Sequence, residues 1–353
     1  MNSHAGPRLP ISRRRLLQKS ALAAGGLALP ALSLRAHAAG PLKPVTMTLD
    51  WLIEGSNLGF VMAHEKGFYR DAGLDVTVTA GKGSAITAQM VSAKASQIGF
   101  SDGFVVASGI AQGMAIKTVG SIFRRGPSAI MMLASSPIKT PKDLEGKTVA
   151  ITAGSAVFKQ WPAFVKGAGI DDSKIHLVNI DAAGLGPALI NGKVDAIGGY
   201  VSSYVPGIEI RGKQKARILW FADNGVDVVS NGIVVHDDLI KSDPDLLRAF
   251  VPASIMGFLY GRQHPDEAVA AVMKYSPTAD AAIIKREFEI SWKTWVTPAT
   301  KDKPLGWESA ASWASTIDVL KHYGGVTAPL TPGQLYTNEF VPAGAEYVPP
   351  QEA

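Results

Sequence analysis

The alternation of short β-branched runs with stretches of helical periodicity constrains this chain most. It favours α/β units with parallel strands. The predicted strands are Val45–Leu49, Leu74–Val78, Ile98–Ser101, Ile116–Ile122, Ala129–Leu133, Thr148–Ile151, Ile175–Asn179, Ala196–Gly199, Arg217–Phe221 and Gly232–His236. The predicted helices between them are Leu58–Ala72, Ser84–Lys94, Phe104–Gln112, Val157–Gly169, Pro187–Asn191 and Ser202–Gly212.

Beyond Asp237 the periodicity becomes wholly helical. Helices are predicted at Pro244–Gln263, Pro265–Tyr275, Ala279–Val296 and Trp307–Tyr323. A strand, a Gly-Ser turn and a helix occur in that order both early in the chain and in its middle. This echo predicts two similar lobes. We expect residues 39–133 together with 228–353 to form lobe 1, and residues 134–227 to form lobe 2.

The amino terminus has the pattern of an export signal. Ser12–Gln18 follows the twin-arginine consensus, a weakly apolar run covers Ala21–Leu34, and Ala36–Ala38 is a small-any-small cleavage site. The apolar run is shorter than the roughly 20 residues that a bilayer span needs. No cysteine follows it, which excludes a lipoprotein anchor. We therefore expect Met1–Ala38 to be removed during export through the twin-arginine translocase, which would leave a soluble periplasmic protein without a lipid anchor.

Removal of this segment changes the charge balance. The whole chain has 35 Lys and Arg against 30 Asp and Glu, a net charge of +5. Residues 1–38 contain basic residues but no acidic ones. Without this segment the acidic residues exceed the basic residues by one. The basic character belongs to the signal, so it gives no support for nucleic-acid binding.

The chain contains no cysteine. Disulfides, thiolate metal sites and cysteine nucleophiles are therefore excluded together. A mature chain of about 315 residues can bury enough apolar surface to fold on its core alone, and we expect it to do so as two lobes.

Three turns carry the residue types of a binding cleft. The loop Asp50–Asn57 follows the first strand, and Gly83-Ser84 and Gly154-Ser155 each precede a helix. Both Gly-Ser turns could hold an anionic or polar ligand group through backbone N–H groups at a helix start, or their serines could simply cap the helices. Such turns lie at the carboxyl ends of strands, where open α/β sheets bind ligands.

Other positions allow the same two interpretations. Trp51 is either a core residue or a cleft aromatic that stacks on a flat ligand. Asp102 follows a strand end, Tyr200 and Ser203 follow another, and Asp227 lies in a hinge segment, Asn224–Asn231. The predicted ligand-binding residues are Asp50, Trp51, Ser56, Asn57, Gly83, Ser84, Ser101, Asp102, Gly154, Ser155, Tyr200, Ser203 and Asp227.

No catalytic pattern is present. The seven histidines have no metal-ligand spacing, and neither a Walker loop nor a Gly-x-Ser-x-Gly elbow occurs. We predict a protein that is not an enzyme and needs no metal or cofactor.

Several segments together resemble a known family. They are Leu49–Trp51, Gly59–Ala63, Glu65–Val76, Ile98–Asp102, Lys142–Val149, Asn191–Ala196 and Leu335–Phe340. Their residues are similar to those of the periplasmic solute-binding proteins of ABC importers for sulfonates, nitrate and thiamine pyrimidine precursors. The resemblance implies a type II periplasmic-binding-protein fold, in which two α/β lobes, joined by two crossover strands, close on a ligand by hinge motion.

The same resemblance implies partners and site positions. The closed protein would deliver its solute to a membrane permease driven by a cytoplasmic ATPase. Trp51, Ser84, Ser101, Asp102 and Ser155 fall at the family's cleft positions. The ligand classes left open are sulfonates, nitrate-like anions, pyrimidine precursors and aromatic carboxylates.

Two other functions are alternatives to transport. A pyrimidine synthase shares this fold but uses a cysteine-rich iron motif, which this chain lacks. A solute-sensing module for a membrane receptor would use the same cleft.

Overall fold

The computed structural model describes residues 40–350, and the predicted signal peptide Met1–Ala38 lies outside them. Ten strands are present: β1 Lys43–Thr48, β2 Leu74–Thr79, β3 Ile98–Asp102, β4 Ile116–Ser121, β5 Ser128–Leu133, β6 Thr148–Ile151, β7 His176–Asn179, β8 Ala196–Tyr200, β9 Ala216–Trp220 and β10 Asn231–His236. All ten predicted strands are confirmed, with ends that differ by two residues or fewer.

The α-helices are α1 Leu58–Glu65, α2 Phe68–Asp71, α3 Ser84–Ser92, α4 Gly103–Ala111, α5 Ala156–Gly167, α6 Ala182–Ile190, α7 Val201–Ile210, α8 Asp237–Ser242, α9 Pro244–Gln263, α10 Pro265–Tyr275, α11 Ala281–Ser291, α12 Ala310–His322 and α13 Pro332–Leu335. The single helix predicted at Leu58–Ala72 is two, because Gly67 adopts a left-handed φ of 77° between them. Helix α6 begins five residues before the predicted Pro187, since Gly184 and Gly186 weaken the helical signal of its first turns. None of the helices within residues 40–350 is long and apolar enough to cross a membrane.

The strands form two sheets of five, flanked by helices. The first has the order β2-β1-β3-β10-β4, and the second has the order β7-β6-β8-β5-β9. In the first sheet β10 runs antiparallel to β3 and β4, and in the second β5 runs antiparallel to β8 and β9. The other pairs are parallel. This is the two-lobed α/β architecture predicted from the sequence.

The sheet order corrects the expected lobe boundary. Strand β5, which we expected in lobe 1, pairs along its length with β9 of the second sheet. The change of lobe therefore lies before Ser128 and not at residue 133. Sequence pattern could not show this, because a buried antiparallel strand has the same apolar run as its parallel neighbours.

Two segments connect the sheets, 122–127 from β4 to β5 and 221–230 from β9 to β10. They are hydrogen-bonded side by side. The N–H groups of Ile122 and Phe123 both donate to the carbonyl of Asn231 at 2.9 Å, and the N–H of Ser230 donates to the carbonyl of Phe123. A pair of bonded connections can bend together, as a hinge requires.

The carboxyl-terminal helices do not all pack on the first sheet. Trp313 and Leu320 of α12 share one apolar cluster with Phe164 and Phe221 of lobe 2 and with Phe104 of α4. Trp313 is fully buried there. Assigning residues 228–353 to lobe 1 alone was therefore wrong for α12, which packs against both lobes.

Candidate functional site

A small pocket lies between the lobes, at the carboxyl ends of strands from both sheets. Its volume is about 30 Å³, and we call it the inner pocket. It is lined by Asp50, Trp51, Glu54, Ser56, Ser84, Phe123, Ser155, Ala156, Val157, Gly198, Gly199, Tyr200, Ser203 and Tyr204. The volume accommodates about one or two water molecules, so the lobes are closed on one another here.

A network of buried polar groups crosses from lobe to lobe behind this pocket. Asp102 accepts hydrogen bonds from Gln160 of α5 at 3.1 Å and from the hydroxyl of Ser230 at 3.0 Å. The hydroxyl of Tyr200 lies 3.0 Å from Oδ2 of Asp102 and 2.6 Å from Oδ1 of Asn231. The amide of Asn231 donates to Oδ2 of Asp50 at 2.7 Å. We call Asp50, Asp102, Gln160, Tyr200 and Asn231 the inter-lobe clasp.

The number of hydrogen-bond donors in the clasp bears on whether Asp102 is protonated. A tyrosine hydroxyl has one proton, so Tyr200 cannot donate to both of its neighbouring acceptor oxygens. A proton on Asp102 would satisfy both contacts, with Asp102 donating to Tyr200 and Tyr200 donating to Asn231. Burial raises the pKa of Asp102, which agrees with this arrangement. The N–H groups of Phe104 and Val105 still donate to its other oxygen and cap α4.

Asp50 is the second buried carboxyl of the clasp. Burial raises its pKa to about 7, and the charges of Glu54 and Asp102 add to the effect, while the hydrogen bond from Asn231 opposes it. The group therefore changes its protonation near neutral pH.

Glu54 forms a second polar bridge between the lobes. Its Oε1 accepts hydrogen bonds from Ser56 and from Ser203 of α7, both at 2.6 Å. Burial raises the pKa of Glu54. The neighbouring Glu287 accepts a hydrogen bond from the N–H of Gly55 at 2.8 Å, and burial raises its pKa as well. The inner pocket has no lysine or arginine among the residues that line it.

The two Gly-Ser turns bond to each other. The N–H of Ala85 donates to the carbonyl of Gly154 at 3.0 Å, and the N–H of Gly83 donates to the carbonyl of Asp50. Ser155 accepts a hydrogen bond from the N–H of Phe158, which confirms the capping interpretation for this residue. The Ser84 hydroxyl makes no helix cap and instead accepts the N–H of Asp102 at 3.3 Å. The N–H groups of Gly83, Ala85 and Phe158 are thus used within the protein.

The structure brings some of the predicted site residues into the inner pocket. Those lining it are Asp50, Trp51, Ser56, Ser84, Ser155, Tyr200 and Ser203. Asp102 lies behind the pocket in the clasp, and Gly83 and Gly154 meet where the turns touch: a Cβ on Gly83 would lie 2.4 Å from the carbonyl oxygen of Gly154.

The other three predicted residues do not line the pocket either. Asn57 holds its own loop, accepting the N–H of Glu54 and donating to the carbonyl of Leu52. Ser101 donates to the carbonyl of Ser84. Asp227 lines a separate cavity of about 500 Å³ beside the connecting segments.

The predicted site residues do not include Glu54, Tyr204 and Asn231, which the structure places at or behind the inner pocket. Glu54 lies within a loop already singled out, and Tyr204 follows Tyr200 by one helical turn, so both had a weak signal. Tyr204 is buried against Gly199, and its hydroxyl donates to the carbonyl of Ala182 at 3.2 Å. Asn231 contacts Asp50, which is 181 residues earlier, and only the sheet order places them together.

No metal site accompanies this pocket: residues 40–350 contain no group of three or more His, Asp or Glu side chains arranged to hold an ion. What the site offers is a closed, acidic, aromatic-walled space between two lobes.

The NMT1/THI5-like family model matches residues 55–268, more than half of the chain. The chain belongs to the NMT1/THI5-like family. Members with established names are similar over most of their length. The riboflavin-binding protein RibY of Chloroflexus aurantiacus is 25% identical, with 86% of this chain and 88% of that protein aligned. The formylaminopyrimidine-binding protein of Halalkalibacterium halodurans is 24% identical, over 82% of this chain and 88% of its own.

The fold of the family is seen in solved structures too. The periplasmic aliphatic sulphonate-binding protein SsuA from Escherichia coli superposes with a TM-score of 0.63 at 17% identity, covering 83% of this chain and 96% of that one. The predicted resemblance to periplasmic solute-binding proteins and the predicted fold class are thereby confirmed. The relatives named here are binding proteins.

Proposed function

We propose that this protein is the periplasmic substrate-binding subunit of an ABC importer, and that its ligand is a flat nitrogen heterocycle without negative charge. The observation that carries the proposal is the set of buried carboxyl groups at the inter-lobe site. Asp50 and Glu54 line the inner pocket, and Asp102 lies directly behind it.

A sulfonate, a nitrate-like anion or an aromatic carboxylate would enter a site whose own ionisable side chains are acidic. Near neutral pH the carboxyl of Asp50 is partly ionised, because its pKa is about 7, and an anion close to an ionised carboxylate in a buried site is strongly unfavourable. A heterocycle with ring N–H or amino groups instead donates hydrogen bonds to carboxylates, and its ring can pack on Trp51 and Tyr204. The named relatives support this class, since riboflavin and formylaminopyrimidine both contain nitrogen heterocycles.

Closure of the lobes creates the surface that a transporter would recognise. The clasp and the Glu54–Ser203 hydrogen bond form only when the lobes meet, so the closed surface differs from the open one. A permease that docks on the closed form would accept the loaded protein. The twin-arginine pattern at Ser12–Gln18 supports export to the periplasm, where such a protein would act.

Calorimetric titration of the mature protein tests the ligand class. The panel contains riboflavin, 4-amino-2-methylpyrimidines, an alkanesulfonate, nitrate and benzoate. We expect binding to a heterocycle and none to the anions. Tighter binding of a sulfonate or of nitrate would overturn the proposal.

Uptake separates transport from sensing. Cells lacking this gene should lose import of the heterocycle that binds, and the wild-type gene should restore it. Unimpaired uptake in the deletion strain would remove the importer role and favour the sensing module.

A further inference from the structure

A larger cavity lies next to the inner pocket. Its volume is about 520 Å³, and we call it the outer compartment. It lies between the two lobes, with α6 and α7 on one side and the segment from Tyr275 to Glu287 on the other. Pockets for small organic ligands typically measure about 300–1,000 Å³, so the outer compartment has the size of a ligand site, whereas the inner pocket would admit a ring only after its walls move apart.

The two spaces share a wall. Trp51, Glu54, Ser203 and Tyr204 line both of them. Within this wall, Ser203 donates to Glu54 at 2.6 Å, and the hydroxyl of Tyr204 donates to the carbonyl of Ala182 at 3.2 Å. Movement of these side chains would join the spaces. A ligand ring inserted at the wall would therefore have part of its structure in the outer compartment.

The outer compartment also has free room at two backbone positions. A Cβ added to Gly186 of α6 or to Gly207 of α7 would have no heavy atom within 4 Å. Neither glycine has a positive φ. Larger side chains at these positions would therefore fill the compartment and would not strain the helices.

The polar groups of the outer compartment determine which kind of ligand substituent could bind in it. Glu54 and Glu287 are buried carboxyls, Asp280 is a partly exposed one, and Arg211 is an exposed cation that also lines the compartment. Tyr275 adds a hydroxyl. The three carboxyl groups outnumber the one cation in this lining, which favours hydroxyl groups of a ligand and disfavours a phosphate.

We propose that the outer compartment is a second subsite for the same ligand and holds an uncharged, hydroxylated chain attached to the heterocycle. This inference rests on the proposed function. It narrows the ligand from any nitrogen heterocycle to one that carries a polyol chain.

Two flavin probes test the subsite. Riboflavin has the ring and a polyol chain, and lumichrome has the ring without the chain. We expect riboflavin to bind the wild-type protein at least tenfold more tightly than lumichrome. Riboflavin 5′-phosphate should bind more weakly than riboflavin, because the phosphate would face the carboxyl groups.

Gly207→Leu fills the compartment. It should weaken the binding of riboflavin at least tenfold and leave the affinity for lumichrome unchanged. Gly333→Leu is the matched control, because Gly333 is exposed, lies outside the compartment and also has no atom within 4 Å of an added Cβ. Gly186→Leu repeats the test from the other helix, should melting curves show that Gly207→Leu does not fold.

The outcomes distinguish the two proposals. Equal affinity for both flavins, with no effect of either leucine, would overturn the subsite. Binding of a simple pyrimidine with no binding of riboflavin would overturn the subsite and leave the proposed function standing. Failure of every heterocycle to bind would overturn the proposed function itself.

Discussion

The hydroxyl of Tyr200 lies 3.0 Å from Oδ2 of Asp102, and the two residues belong to different lobes. Tyr200 ends a strand of the second sheet, whereas Asp102 ends a strand of the first and caps α4. The same hydroxyl reaches Asn231, where the chain returns to the first sheet. One side chain thus connects lobe 2 to two separate points of lobe 1, and this contact exists only while the lobes are closed.

Tyr200→Phe should weaken closure. It removes the hydroxyl and leaves Asp102 and Asn231 without this partner in a buried site, which costs about 1–3 kcal/mol. We expect ligand affinity to fall roughly 5- to 150-fold, since about 1.4 kcal/mol corresponds to a tenfold change. Titration calorimetry measures the loss. Tyr323→Phe, away from the cleft, is the control, and equal affinities in the two variants would argue against the clasp.

Gly83→Ala should obstruct closure by a different route. Gly83 has a φ of 126°, and an added Cβ would lie 2.4 Å from the carbonyl oxygen of Gly154 on the other lobe. The backbone groups would have to separate, so we expect weaker ligand binding and a larger radius of gyration in solution with ligand present.

Gly113→Ala controls for backbone strain in this experiment. Its φ is 94°, but a Cβ there meets no atom within 4 Å. Gly113→Ala should lose stability without losing affinity. If Gly83→Ala also loses stability without losing affinity, the proposed obstruction at Gly83 is refuted.

Trp51→Ala should weaken binding without unfolding the protein. Trp51 is half-buried, lines both the inner pocket and the outer compartment, and packs on one core cluster without being a fully buried member of it, so its removal leaves the buried members of that core in place. Loss of an aromatic wall should reduce affinity by about tenfold or more, given the area that an aromatic ring buries. Trp307→Ala serves as the control. Unchanged affinity in Trp51→Ala, measured by calorimetry alongside a normal melting temperature, would remove Trp51 from the site.

The stability of the ligand-free protein should rise as the pH falls from about 7.5 to 5.5. The pKa of Asp50 is 3.8 in its ordinary state and about 7 in the folded protein. The folded state therefore binds a proton that the unfolded chain has released, and the stabilisation is complete below pH 3.8 and disappears as the pH rises through about 7. The raised pKa values of Asp102, Glu54 and Glu287 act in the same direction.

Melting temperatures across this pH range check the sign. Asp50→Asn removes the titrating group and keeps an oxygen that can accept a hydrogen bond from Asn231. The melting temperature of this variant should therefore depend less on pH than that of the wild type. Asp75→Asn, at an exposed position, should retain the wild-type slope. A steeper or reversed slope in Asp50→Asn would contradict the assignment.

Export can be tested independently of the fold. Lys substituted for both Arg13 and Arg14 should retain the precursor in the cytoplasm, because the twin-arginine pair is the feature that the translocase recognises. Fractionation and immunoblotting of the two compartments measure this. Normal export of the double variant would refute the predicted route.

Local sequence pattern determined the strands, most helices and the fold class. Periodicity depends on which face of an element is buried, and that information lies within a few neighbouring residues. The same holds for the loop Asp50–Asn57 and the turns before α3 and α5, whose residue types marked the carboxyl ends of the strands. The position of β5 in the second sheet was not available, because strand pairing depends on long-range register.

The chemistry of the site was decided by the tertiary structure. The sequence shows two Gly-Ser turns that suit an anion, but closure joins them to each other through Ala85 and Gly154. It also buries Asp50 and Glu54 at one pocket with Asp102 behind it, and this arrangement is the basis of the proposal that the ligand has no negative charge. Contacts such as Asn231 with Asp50 join residues far apart in the chain, and the pKa of a carboxyl depends on burial and on neighbours that only folding brings together.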